Sequence, residues 1–150
     1  LRPDGHIIWR ALQRLKSELD LSKIGVSIYD PSELEALENI DIAPEIVQVP
    51  YNIFDQKIES SGWLKKLASR GVEVHARSIF LQGLLLQNDT SRHQYFTRWS
   101  TQFEKFQKLL TETKSNATEI ALKFVLGNPY LNKIVIIWNK NIIIIINIIT

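Results

Sequence analysis

Apolar and polar residues alternate between two periods along this chain, and the switches mark out the elements. Residues 7–19, IIWRALQRLKSEL, place Ile8, Leu12, Leu15 and Leu19 on one helical face, with Arg and Lys opposite. The β-branched run Lys23–Ile28 predicts a buried strand, closed by Asp30-Pro31-Ser32-Glu33. An acidic N-cap, Pro at the first helical position and Glu at the third begin a short helix with Leu34 and Leu37 inward. A second strand spans Glu45–Pro50. The following helix, from about Gln56 to Arg70, carries Trp63, Leu64, Leu67 and Ala68 toward the core, and Gly71 takes the left-handed position that ends it. A third strand covers Val72–Arg77. Beyond the polar loop Gln87–His93, Phe96, Trp99, Phe103, Phe106 and Leu110 recur at helical spacing. Asn116 and Glu119 form a capping-box pattern for a further helix with Ile120, Ala121, Phe124 and Val125, and Lys133–Ile137 predicts a fourth strand.

Strands alternating with helices imply parallel strands joined by right-handed crossovers. Four such strands suit a small doubly wound sheet or half of an eight-stranded barrel. No glycine-rich phosphate loop follows any strand, which favours the half-barrel. Side-chain parity then sorts the faces. Gly25, Ser27 and Tyr29 oppose Ile24, Val26 and Ile28; Gln48 opposes Val47 and Val49; Glu73, His75 and Arg77 oppose Val72, Val74 and Ala76. In a barrel the polar set faces inward, and its last members ring the mouth where ligands bind. Ser27, Gln48 and Arg77 are thereby expected around one site, with Ser78 at the rim; the bland alternative is that Ser27 and Gln48 merely satisfy each other or backbone groups inside a packed barrel.

Composition narrows the classes of function. The 150 residues, 45% hydrophobic, are enough for one ordinary core. A net charge of +2 with interspersed signs predicts neither a nucleic-acid nor a membrane partner, and the absence of Cys excludes disulfides and thiolate metal sites and suits a cytoplasmic location. His6 and His93 are expected in solvated loops and His75 as a hydrogen-bonded residue of the barrel interior, so the three His predict no metal site. The chain begins at Leu1 and contains no Met, which reads as a fragment starting inside a longer product.

The strings Ile24-Gly25-Val26-Ser27, Ile46-Val47-Gln48-Val49-Pro50-Tyr51-Asn52, Arg77-Ser78 and Gln82-Gly83-Leu84-Leu85 resemble the aldo-keto reductases, and most closely a bacterial branch of them. The resemblance covers roughly residues 3–136 and implies an α/β fold, the C-terminal half (strands five to eight) of a (β/α)8 TIM barrel. It also implies NADPH-dependent interconversion of carbonyls and alcohols on a small-molecule carbonyl substrate. By the same resemblance, Ser27 and Gln48 hold the nicotinamide carboxamide of NADP(H). Arg77 stands where an aromatic ring usually stacks on the nicotinamide, a role a planar guanidinium can fill. Ser78, Phe80, Gln82 and Gly83 match the loop along the pyrophosphate.

Two departures limit the reading. The family's catalytic Asp, Tyr, Lys and His sit on the first four strands, so no catalytic residue is assigned in this chain and it is expected to be inactive alone. The second departure is the tail, IIWNKNIIIIINIIT, where the family has a Gly-containing turn and a helix gripping the 2′-phosphate. The expected boundary puts the half-barrel at 1–137 and a low-complexity Ile/Asn-rich tail, outside the fold, at 138–150. A reading-frame shift into AT-rich sequence would produce such a tail, and the 8 residues Ile142–Ile149 are too few for a membrane span. The alternative functions are a non-catalytic half-barrel that binds a nucleotide or partner, or the product of a broken gene. Exposed half-barrel edges predict self-association in either case.

Overall fold

The computed structural model describes residues 5–88, 91–138 and 142–148. Parts of two predicted segments, the loop 87–93 at positions 89–90 and the tail at 139–141 and 149–150, lie outside the described residues. Five strands form one sheet in the order β1 (Gly25–Ser27), β2 (Ile46–Pro50), β3 (Glu73–Arg77), β4 (Lys133–Trp138) and β5 (Ile142–Asn147). The first four are parallel and β5 is antiparallel to β4.

β2, β3 and β4 fold as parity dictates, whereas the buried strand expected over Lys23–Ile28 is only Gly25–Ser27 and lies exposed or half-buried at the edge of the sheet. Val47, Val49, Val74, Ala76 and Ile134 are fully buried on the helical side, in a core with Leu34, Leu37, Ile58, Trp63, Leu64, Leu67 and Val125. Their neighbours Gln48, Glu73, His75 and Arg77 stay half-buried on the other side. The register aligns Ser27 with Gln48, Gln48 with His75 and His75 with Lys133, so one row of polar residues crosses four strands. Gly25 lets β1 approach its neighbour: a Cβ there would lie 2.0 Å from the Ile46 carbonyl oxygen.

Helix α2 (Ser32–Glu38) starts as its sequence predicts. The Glu33 carboxylate accepts from the Tyr29 and Asp30 amides at 2.7 and 2.9 Å, and Asp30 accepts from the Ser32 amide at 3.1 Å. The capping box Asn116/Glu119 is formed at the start of α6 (Ala117–Leu126). The single helix expected over 56–70 is two, α3 (Lys57–Ser60) and α4 (Trp63–Ser69), because Gly62 turns left-handed at φ +80° between them; Ala68 is exposed rather than in the core. The aromatic repeat begins as a 3-10 turn at Gln94–Trp99 and continues as α5 (Ser100–Thr113), with Phe103 and Phe106 buried under Leu84 and Leu85.

Helix α1 (Gly5–Glu18) differs in its facing. Trp9 is buried and Leu12 half-buried, whereas Ile8, Leu15 and Leu19 of the expected face are 55%, 45% and 63% exposed. The large indole fills the core, and Lys16 on the same side reaches Glu45 at 2.6 Å, which rotates the aliphatic stripe outward. His6 lies exposed within α1, not in a loop. The second difference is at the C-terminus, where a tail outside the fold is expected. There β4 runs on through Trp138, and Ile142–Asn147 pairs with it over six residues. Uninterrupted Ile has high strand propensity and satisfies the open edge of β4.

Candidate functional site

The sequence-predicted residues come together at the C-terminal ends of β1, β2 and β3. Ser27 and Gln48 sit side by side on neighbouring strands, and the Ser27 hydroxyl donates to Gln48 Oε1 at 3.2 Å. The Gln48 amide nitrogen has no acceptor among the described residues, so the pair satisfies itself only in part. Arg77 reaches back over β2: one terminal nitrogen donates to the Ile28 carbonyl at 2.9 Å and the other to Ser78 Oγ at 3.2 Å. Its guanidinium stacks 4.3 Å from the ring centre of Tyr29, itself 73% exposed. Arg77 is thus held at the mouth by two hydrogen bonds, its guanidinium over a phenol ring.

The loop after β3 is bent sharply. Ser78, Leu81, Gln82 and Gly83 have φ of +57°, +49°, +55° and +87°. Three of these are not glycine, and each L-residue there costs about 1–2 kcal/mol. Two anchors hold the loop. Ile79 and Leu85 are buried, and Phe80 packs between the two apolar clusters of the molecule. Asn52, 1% exposed, donates to the Ser78 carbonyl at 3.1 Å while its own Oδ1 accepts from the Phe54 and Asp55 amides at 2.9 Å each. The backbone amides of Phe80 and Gln82 have no acceptor among the described residues. The amides that alternate with them are taken, Leu81 donating to the Ser78 carbonyl at 2.8 Å and Gly83 to the Phe80 carbonyl at 3.0 Å.

Sequence reasoning quoted Asn52 without giving it a role; a buried Asn directly after a strand is the signal that was available. It also passed over a second buried group. The Tyr51 hydroxyl donates to Glu59 at 2.7 Å and accepts from the Asn128 amide at 3.0 Å, tying β2 to α3 and to the loop after α6. Burial, and then the Glu59 hydrogen bond, push the Tyr51 phenol up to about 12.

At the opposite end of the strands Glu73 gathers three partners. Lys133 lies at 2.6 Å, Lys23 at 2.7 Å and His75 Nε2 at 2.7 Å. Hydrogen bonds from Lys133, then Lys23 and His75, hold the Glu73 carboxyl down at about 2. His75 is therefore engaged within the sheet's polar face, as parity predicts. His93 is exposed and caps the 3-10 turn by accepting from the Tyr95 amide at 3.1 Å. No group of His, Cys, Asp and Glu among the described residues could hold a metal. A hollow of about 580 Å³ between α2 and α4, lined by Leu34, Leu37, Trp63 and Leu67, includes none of the predicted site residues.

Compared with protein families, residues 6–148 match the Aldo/keto reductase family. The chain belongs to the aldo/keto reductase family. No curated protein matches it. The family fold is a (β/α)8 barrel, and the parallel sheet β1–β4 with helices on its buried face is part of one. The family is one of oxidoreductases that generally use NADP(H). No helix among the described residues is long and apolar enough to cross a membrane.

The site residues fit a nicotinamide. Its carboxamide offers one acceptor and two donors. Gln48 has a free amide donor and Ser27 an oxygen with accepting capacity, on adjacent strands. Arg77 offers a planar cation beside them.

Proposed function

We propose that this chain carries the nicotinamide and pyrophosphate side of an NADPH-dependent carbonyl–alcohol oxidoreductase. The observation that carries the reading is the half-satisfied Ser27–Gln48 pair beside the anchored Arg77 guanidinium. Gln48 would donate to the carboxamide oxygen, Ser27 would accept from the carboxamide nitrogen, and Arg77, backed by Tyr29, would present its planar cation to the ring. Ser78 offers the pyrophosphate a hydroxyl, Phe80 and Gln82 offer backbone amides without acceptors among the described residues, and Gly83, with open space where a side chain would stand, leaves the loop's backbone accessible. The bound dinucleotide supplies the hydride for the carbonyl carbon.

The proton is a separate matter. Resemblance assigns it to a Tyr on the first four strands of the barrel, tuned by Lys and His, and none of residues 1–150 matches those positions. The chain alone is therefore proposed to bind cofactor without reducing a carbonyl. Among the described residues no basic helix follows β4 to hold the 2′-phosphate; β5 follows it, and Ile142–Asn147 contains no Lys or Arg. The NADP preference rests on family membership.

Titration of the purified chain with NADPH, followed by fluorescence, tests the reading. Saturable binding weakened about tenfold by Ser27→Ala or Gln48→Ala is expected, each removing one hydrogen-bonding group. Unchanged affinity in both variants would remove the assignment. Equal binding of NADH would keep the nicotinamide site and withdraw the NADP preference. Carbonyl reduction at the rate of a complete family enzyme would overturn the proposed inactivity.

A further inference from the structure

We infer that the free edge of β5 is a self-association surface, on which β5 of a second copy pairs antiparallel to join two sheets across a two-fold axis. Among the described residues the sheet order leaves two open edges, β1 and β5. They are not equivalent. β1 is three residues long, and Lys23 just before it is bound to Glu73. β5 is six residues long, IIIIIN, without a charge, a proline or a glycine. Natural edge strands are guarded by just those residues, or by being short. This edge has none of the guards.

The occupant follows from the sequence of the strand. Five consecutive isoleucines read the same in either direction, so β5 is complementary to itself in any antiparallel register. An isologous pair asks only that the same patch meet itself, and it closes after two copies. No like charges face one another across the axis. Ile144 and Ile145 are 44% and 55% exposed, and they lie on opposite faces of the strand, so pairing would cover apolar surface on both sides of the sheet. Six residues of edge contact are fewer than a standard interface presents, which predicts a concentration-dependent dimer rather than an obligate one.

β5 also decides which partner is excluded. In a closed (β/α)8 barrel the last parallel strand pairs with the first. Here the antiparallel β5 already occupies the edge of β4. A complementary half-barrel would have to displace β5 before it could close on β4, whereas a second copy needs only the edge β5 leaves open.

Sedimentation velocity of the whole chain, over about two decades of concentration, reads the outcome as a shift toward twice the 17.3 kDa chain mass. Ile145→Lys puts an ammonium on the strand of each copy and is expected to raise the dimer dissociation constant about tenfold or more. Leu19→Lys, on the exposed stripe of α1, is expected to leave it unchanged. Amide exchange on the unaltered chain gives a reading independent of any variant's folding: β5 amides should exchange more slowly at high concentration while those of α1 do not. A monomer at every concentration, a dimer broken by Leu19→Lys but not by Ile145→Lys, or fibres that grow without stopping at two copies would each overturn the inference.

Discussion

Replacing Glu73 with glutamine removes the one carboxylate that joins the segment before β1, the middle of the sheet and β4. Its carboxyl, ordinarily at 4.5, is held at about 2 by Lys133, Lys23 and His75, and its side chain is 14% exposed. The folded value lies below the unfolded one, so the stabilisation is fully present above pH 4.5. It declines as the pH falls and is gone below about 2. A gap of about 2.5 units at roughly 1.4 kcal/mol per unit gives about 3.5 kcal/mol. That is an upper figure, because Lys23 is 42% exposed and water screens its share. Against a usual total of about 5–15 kcal/mol the loss would be large. Urea unfolding of both proteins, followed by far-UV circular dichroism from neutral pH down to about 2.5, is the assay. Glu73→Gln should be less stable by about 2–3 kcal/mol at neutral pH, and the two curves should converge as acid protonates Glu73 in the parent. A difference that stays constant through that window, or none at neutral pH, would refute the cluster's role.

Three further outcomes are expected. One of the four tyrosines, Tyr51, should ionise near 12, and stability from its network should be intact below pH 10 and lost as pH climbs through 12; Glu59→Gln should bring that ionisation down, as followed by tyrosinate absorbance. Asn52→Ala should cost about 1–3 kcal/mol by leaving the Phe54 amide without an acceptor and taking the second hydrogen bond from the Ser78 carbonyl and the Asp55 amide. Amide exchange should show the loosening over residues 78–86 and not in α5. If the proposed stacking is right, Arg77 should favour the neutral reduced ring over the cationic oxidised one. Like charges about 4 Å apart in water differ by about 1 kcal/mol, roughly fivefold in affinity, and Arg77→Gln should erase that ratio of dissociation constants.

What could be read from the chain was what local sequence controls. β2 carries a single polar residue among aliphatic ones and β3 alternates polar and apolar residues strictly, so their faces and the Ser27–Gln48–Arg77 grouping followed without knowledge of packing. The helix starts at Asp30-Pro31 and Asn116 are likewise decided within four residues. The missed features are settled at long range. Lys23, Glu73 and Lys133 are separated by 50 and 60 residues and meet only through strand register. The facing of α1 depended on whether one indole or four aliphatic residues met the core, a competition that periodicity does not decide. Ser60-Ser61-Gly62 did carry a break signal, overridden by the surrounding apolar spacing. The Ile-rich segment read as low complexity, yet its strand propensity was plain; its composition hid the fact that a neighbouring edge stood open.

The way α1 is fastened has a further consequence for motion. Trp9 and Leu12 give it its apolar hold, and Lys16–Glu45 adds a half-exposed ion pair. An element with so few buried contacts opens on its own, well below the free energy of global unfolding. α1 should therefore detach and return as a unit while the sheet stays folded. Each opening would bring Trp9 into water and expose the segment around Leu19–Ser22 to proteolysis, making a single nick there the first event in the chain's degradation.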